Sequence, residues 1–173
     1  GYSLEPEGDP NLFQALALDQ SSFSQSPGSL HHRIGDLHDF SALQQLVVES
    51  RPQVVLHLAA QPLVRRSYQQ PLLTWSTNVQ CSLHLLEALK PLHHSCAVVM
   101  VTTDKVYENR EWVWAYREND AMGGYDPYSS SKGCSELVTS AYRRSFMNDV
   151  GIALASARSG NVIGGGDWSS SRI

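Results

Sequence analysis

Apolar residues along this chain alternate between continuous runs and helical spacings. Val54-Val55-Leu56-His57-Leu58-Ala59, Ala97 to Thr102 and Gly151 to Arg158 are short, nearly unbroken apolar runs. Such runs predict strands buried on both faces of a parallel sheet. Between them, apolar positions recur every three or four residues. Asp39 to Glu49 carries Phe40, Leu43, Leu46 and Val47 behind an Asp39 or Ser41 cap. Pro71 to Leu92 carries Leu72, Trp75, Val79, Leu83, Leu86 and Leu89 on one side, and Pro127 to Asn148 reads as a helix with Pro127 in its first turn. Upstream, Gly1 to Leu4 reads as the end of a strand and Pro10 to Leu18 as a short helix around Leu12, Phe13 and Leu16. Ser21 to Ser29 reads as a loop and His32 to Asp36 as a short strand ending in a polar turn. Strand and helix in strict succession predict an α/β fold, a doubly wound parallel Rossmann-like sheet with helices on both faces, in one domain over residues 1–173. The polar, aromatic stretch between Thr102 and Pro127 is far longer than the ~2–6 residues usual for such connections, and long loops in compact domains often carry function.

Composition narrows the function classes. The 173 residues, 42% of them hydrophobic, suffice for a packed core. Thirteen Lys and Arg against seventeen Asp and Glu leave a net charge of -4, which gives no electrostatic footing for nucleic acid or an anionic membrane. The longest apolar runs fall well short of the ~20 residues a membrane span needs. No basic segment followed by an apolar one opens the chain, so a cytoplasmic location is expected. Cys81, Cys96 and Cys134 are an odd set without Cys-x-x-Cys spacing, expected as thiols in a reducing compartment. The seven His residues show no metal-ligand spacing, His93-His94 beside Cys96 included, and no metal is expected.

Two patterns could carry chemistry. Tyr128 and Lys132 stand four apart and share a helix face. A Lys charge there favours phenolate and makes Tyr128 a usable general base; a core Tyr beside a solvated Lys gives the same spacing. Thr102-Thr103-Asp104-Lys105 falls where a strand ends, which is where α/β sheets bind ligands. A hydroxyl, an acid and an amine at that point could orient a substrate and exchange protons with it, although a polar strand end with a solvated Asp–Lys pair reads alike. Asp36 follows a short strand, where a carboxylate can accept from an adenine or ribose or simply close a turn. Asn78, a poor helix former in mid-helix, calls for a polar partner. Arg65 and Arg66, in a strand-to-helix loop, could face a phosphate or water.

These residues resemble the extended short-chain dehydrogenase/reductases, and more narrowly the nucleotide-sugar 4,6-dehydratases that act on CDP-glucose. The similarity is carried by Ala59-Ala60-Gln61-Pro62-Leu63-Val64-Arg65, by Thr103-Asp104-Lys105-Val106-Tyr107, by Gly124 to Cys134 and by Arg158 to Trp168. It implies an NAD cofactor contacted by Asp36, Leu37, Leu58, Ala59, Ala60, Asn78, Tyr128 and Lys132. It also implies a CDP-glucose substrate met by Arg65 and Asn161, and a homodimer. Tyr128, held by Lys132, would be the base at the sugar 4-hydroxyl, with Thr103 bonding the 4-oxygen. Asp104 would be the acid for the departing 6-hydroxyl and Lys105 the base at C5. Related dTDP- and GDP-sugar dehydratases have Glu where this chain has Lys105. The family's Gly-rich pyrophosphate turn has no counterpart, since no Gly-x-x-Gly-x-x-Gly occurs in the sequence. The resemblance therefore predicts a partial NAD-binding domain that lacks this turn and most of the substrate domain, and that alone neither binds NAD tightly nor turns over. The same Tyr/Lys pair would also serve an epimerase or oxidoreductase of the family, or survive in a non-catalytic remnant.

Overall fold

The structure, a computed structural model, describes residues 1–15 and 28–168. Leu16 to Leu18 and most of the Ser21 to Ser29 loop lie outside the described residues. The chain divides into two compact units, Gly1–Asp36 with Val162–Ile173, and Leu37–Asn161. In the first unit, β1 (Tyr2–Ser3) pairs in parallel with β2 (Arg33–Ile34), and α1 spans Leu12–Ala15. Asn11 opens α1 by accepting from the Gln14 amide at 2.9 Å.

The second unit holds a three-stranded parallel sheet in the order β3 (Val54–His57), β4 (Cys96–Val101), β5 (Ile152–Ala157). Val54 lies opposite Ala97 and His57 opposite Met100, while Cys96 aligns with Ile152 and Val101 with Ala157. This register brings all three carboxyl ends to one edge. α2 (Phe40–Ser50) begins where the Asp39 carboxylate accepts from the Ala42 amide and packs Leu43 and Val47 inward, with its contacts on α5 (Cys81–Leu89). Val98, Met100, Ile152 and Leu154 from the sheet join Leu86, Leu89 and Met147 in the core. Each such large side chain contributes roughly 1.5–3 kcal/mol by burial.

Burial is uneven in this unit. The parallel α/β succession stands as expected, and among the described residues the strands are covered on one face of the sheet. Val54 is 63% exposed and Leu56 61%, and Ala97, Ala153 and Ala155 are exposed beside them. Side chains alternate across a strand, and the helices of this unit all pack on one another over the same face, so every second residue of an apolar run stays open. The expected apolar face of Pro71–Leu92 is also displaced. α4 (Pro71–Trp75) passes through a π-helical turn at Ser76–Gln80 into α5. The extra residue per turn rotates Leu72 outward, to 85% exposure, and turns Thr74, Asn78 and Ser82 inward. Their partner is the small, hydroxyl-rich face of α6 (Pro127–Tyr142), where Ser131, Ser135 and Thr139 are buried. Among the described residues no disulfide joins Cys81, Cys96 and Cys134.

Candidate active site at the carboxyl ends of the strands

α6 delivers the Tyr/Lys pair. Asp126 caps the helix, accepting from the Ser129 amide at 3.0 Å and from its hydroxyl at 2.6 Å, with Pro127 in the first turn. Tyr128 and Lys132 are both buried at this end, and the Lys132 ammonium donates to the Val101 carbonyl at 3.2 Å. Burial lowers the Lys132 pKa to about 8, so the group still carries its proton at neutral pH.

His57, at the end of β3, is also buried. The Ser82 hydroxyl donates to the Asn78 carbonyl at 2.7 Å, so its oxygen accepts from His57 Nε2 at 3.2 Å, which assigns the neutral Nε2–H tautomer. Burial first, and the Lys132 charge second, lower the His57 pKa to about 4. The unfolded chain binds this proton near 6.5 and the native state resists it, so stability present above pH 6.5 is lost as pH falls toward 4. The loss amounts to about 3 kcal/mol. Urea unfolding at stepped pH should show that loss, and His57→Gln should flatten it.

A second cluster closes the end of β4. Thr103 is buried and its hydroxyl donates to Asp104 Oδ1 at 3.2 Å. Lys105 Nζ lies 3.2 Å from the same oxygen and 3.1 Å from Asn161 Oδ1, which places Asn161 beside the pair. Asp104 and Lys105 remain open, their side chains 55% and 40% exposed. α6 packs against this 104–106 turn, so both expected clusters share one edge of the sheet.

The remaining expected residues fall in different places. Leu58 is 69% exposed after β3, followed by half-buried Ala59 and Ala60. Asn78 is buried and acts on that turn through Gln61, accepting from its amide at 2.8 Å and donating to its carbonyl at 3.2 Å. It also donates to Ser131 Oγ at 2.9 Å. Arg65 is exposed in the first turn of α3 (Val64–Gln69), and Arg66 donates to Gln70 Oε1 at 3.1 Å. Leu37 is half-buried, its carbonyl 2.8 Å from His84 Nδ1. Asp36 belongs to the first unit, where its carbonyl accepts from the Tyr2 hydroxyl at 3.3 Å.

The long loop is a folded excursion. Tyr107 bridges Met122, the Glu108 amide donates to the Ala121 carbonyl, and Tyr107 stacks on Tyr116 at 5.0 Å. Gly124 returns it to α6, with its carbonyl accepting from Ser130 Oγ at 2.5 Å. A Cβ on Gly124 would collide with the Ser129–Ser130 backbone. Gly124→Ala should therefore lift the loop off the first turn of α6 and lower the melting temperature. A melting curve alongside trypsin cleavage of the loop would check this.

Sequence reasoning did not single out Glu136 as functional. One turn beyond Lys132, its buried carboxylate accepts from Thr102 Oγ1 at 2.5 Å, Ser156 Oγ at 2.8 Å and Arg158 Nε at 3.1 Å. Burial alone would raise this carboxyl, but bonds from Arg158, Thr102 and Ser156 and the Arg158 charge outweigh that and hold it below the usual carboxylate range. The only signal in the sequence was a charge set among small residues on an inward helix face.

A parallel sheet with these strand ends and a helix-borne Tyr/Lys pair defines a Rossmann-type protein of the nucleotide-sugar epimerase and dehydratase class. Among solved structures, the UDP-glucose 4-epimerase of Thermus thermophilus in complex with NAD is 28% identical, with a TM-score of 0.65, over 76% of this chain and 41% of that one. The chain belongs to the GDP-mannose 4,6 dehydratase family, whose model matches residues 11–162. It is 51% identical over its whole length to the CDP-glucose 4,6-dehydratase of Salmonella typhimurium. It is 32% identical, over 88% of its length, to the dTDP-glucose 4,6-dehydratase of Streptomyces griseus. The chain spans about half the length of these curated relatives, 47% and 48%.

Proposed function

We propose that the protein is an NAD-dependent nucleotide-sugar 4,6-dehydratase acting on CDP-glucose. The observation that carries this reading is the Asp104–Lys105 pair, held at 3.2 Å at the end of β4 beside the helix that bears Tyr128 and Lys132. An epimerase needs the Tyr/Lys pair but has no use for an acid and an amine poised for elimination. The choice of CDP rests on the 51% identity to the Salmonella typhimurium enzyme.

The residues present fit a dinucleotide. Among the described residues the Lys132 ammonium donates one hydrogen bond, to Val101, and keeps two N–H groups for sugar hydroxyls. Leu58, Ala59 and Ala60 would line the cofactor at the end of β3, with Asn78 fixing their turn through Gln61; contact of Asp36 and Leu37 with the adenosine end is what the resemblance implies. NAD supplies a hydride acceptor at sugar C4 and, once reduced, a donor at C6.

Tyr128 takes the 4-hydroxyl proton, its phenolate favoured by the Lys132 charge. Thr103 donates to the 4-oxygen and stabilises charge there. The resulting 4-ketone acidifies C5. A proton passed from Lys105 Nζ to Asp104 Oδ1 turns the ion pair into an amine and a carboxylic acid. Lys105 then removes the C5 proton while Asp104 protonates the departing 6-hydroxyl as water, and the ion pair is restored. Asn161 holds Lys105 in place, and Arg65 would meet the substrate diphosphate.

No helix among the described residues is long and apolar enough to cross a membrane. The homodimer is carried by the resemblance alone. The deciding experiment is incubation of the intact protein with CDP-glucose, dTDP-glucose and NAD, with products read by NMR. A 4-keto-6-deoxy sugar from CDP-glucose is expected. An epimer, or net accumulation of reduced cofactor, would overturn the reading.

A further inference from the structure

We propose that Glu136, clamped by Arg158, is a positioning residue that sets the proton-exchanging turn Thr103–Lys105 against the Tyr128–Lys132 pair. The inference rests on the dehydratase reading above. Three elements carry candidate catalytic or substrate-binding groups, and Glu136 belongs to one and hydrogen-bonds to the other two. It belongs to α6 itself, one turn beyond Lys132. Thr102, which donates to Oε1, immediately precedes Thr103 and Asp104. Ser156 and Arg158, which donate to it at 2.8 and 3.1 Å, belong to β5 and its exit toward Asn161. The backbone repeats the link, since the Asp104 amide donates to the Ser159 carbonyl at 2.9 Å.

Arg158 extends the clamp to the long loop. Its Nη1 donates to the Glu118 carbonyl at 3.0 Å, its Nη2 reaches Met122 Sδ at 3.8 Å, and its guanidinium lies 4.8 Å over the Tyr107 ring. The pair is shielded, with side chains 6% and 17% exposed, so removing one charge leaves the other without compensation. Glu136 touches no reacting atom. Its effect falls on where Asp104 and Lys105 stand relative to Tyr128, and elimination, which needs both pairs aligned at adjacent carbons, is the step that suffers.

The test uses Glu136→Gln in the intact protein, which keeps shape and loses the charge. We expect turnover to fall on the order of 10²-fold with KM little changed. In a single turnover the absorbance of the reduced cofactor should persist, because C4 oxidation outruns elimination. Trypsin should cut the loop faster after Arg110 and Arg117, since the Arg158 anchor is released. Arg158→Lys, which keeps the charge but not the fork, should be milder than Arg158→Met on every readout. Should Glu136→Gln not fold, Arg158→Lys decides on the same measurements. Wild-type turnover in the variant, or lost turnover with wild-type loop cleavage, would overturn the proposal. If wild-type protein yields no 4-keto product, the dehydratase reading fails instead and loop cleavage alone decides the clamp.

Discussion

Tyr128→Phe should abolish oxidation at sugar C4, with product formation falling on the order of 10²- to 10⁴-fold, the range of a lost general base. The ring of Tyr128 is buried at the start of α6 and stays in place in the variant. The Asp126 cap and Pro127 fix the backbone there independently of the phenol. Melting temperature should therefore change little while chemistry stops. Substrate carrying deuterium at C4 separates the possibilities, since the variant should retain both the label and the 4-hydroxyl. Full turnover by the variant would remove Tyr128 from the mechanism. The companion effect is on pH. The Lys132 pKa, lowered to about 8 by burial, means that its charge is present at neutral pH and lost as pH rises through 8. Above that point the support for phenolate fades, and Lys132→Met should lack it at every pH.

Asp104→Asn and Lys105→Met should fail later in the reaction. Both leave Tyr128, Lys132 and Thr103 in place, so oxidation at C4, with loss of hydride from C4, should continue. Elimination should fall on the order of 10²- to 10⁴-fold for loss of either proton-transfer partner. On the proposed roles, Asp104→Asn takes the acid from the 6-hydroxyl and takes from Lys105 the acceptor 3.2 Å away. On the same reading Lys105→Met removes the base at C5, and Asn161 loses its 3.1 Å partner. Reduced cofactor should accumulate in both. The two differ in solvent deuterium at raised pH, where bulk base can free the Lys105 amine: Asp104→Asn should then incorporate label at C5 and Lys105→Met none. Equal loss of the C4 and C6 steps in both variants would mean that these residues only shape the turn.

Features that span only a few residues of chain were legible before any packing was known. The Tyr128–Lys132 face follows from four-residue spacing on one helix, and its start follows from Asp126 and Pro127. The three main strands follow from unbroken apolar runs, and the clustering of Thr103, Asp104 and Lys105 at a strand end follows from where the second run stops. Those signals are local because propensity, capping and periodicity act over one or two turns. Tertiary structure alone decided the rest. Which face of Pro71–Leu92 is buried depends on the π-helical turn at Ser76–Gln80 and on the hydroxyl-rich face of α6, so inward polar residues replaced the apolar stripe. Glu136 joins Thr102, Ser156 and Arg158 across 34, 20 and 22 residues of chain. A charged helix residue reads as a solvated face until folding brings three strand-end partners within hydrogen-bond distance, because desolvation and pairing are properties of the assembled site.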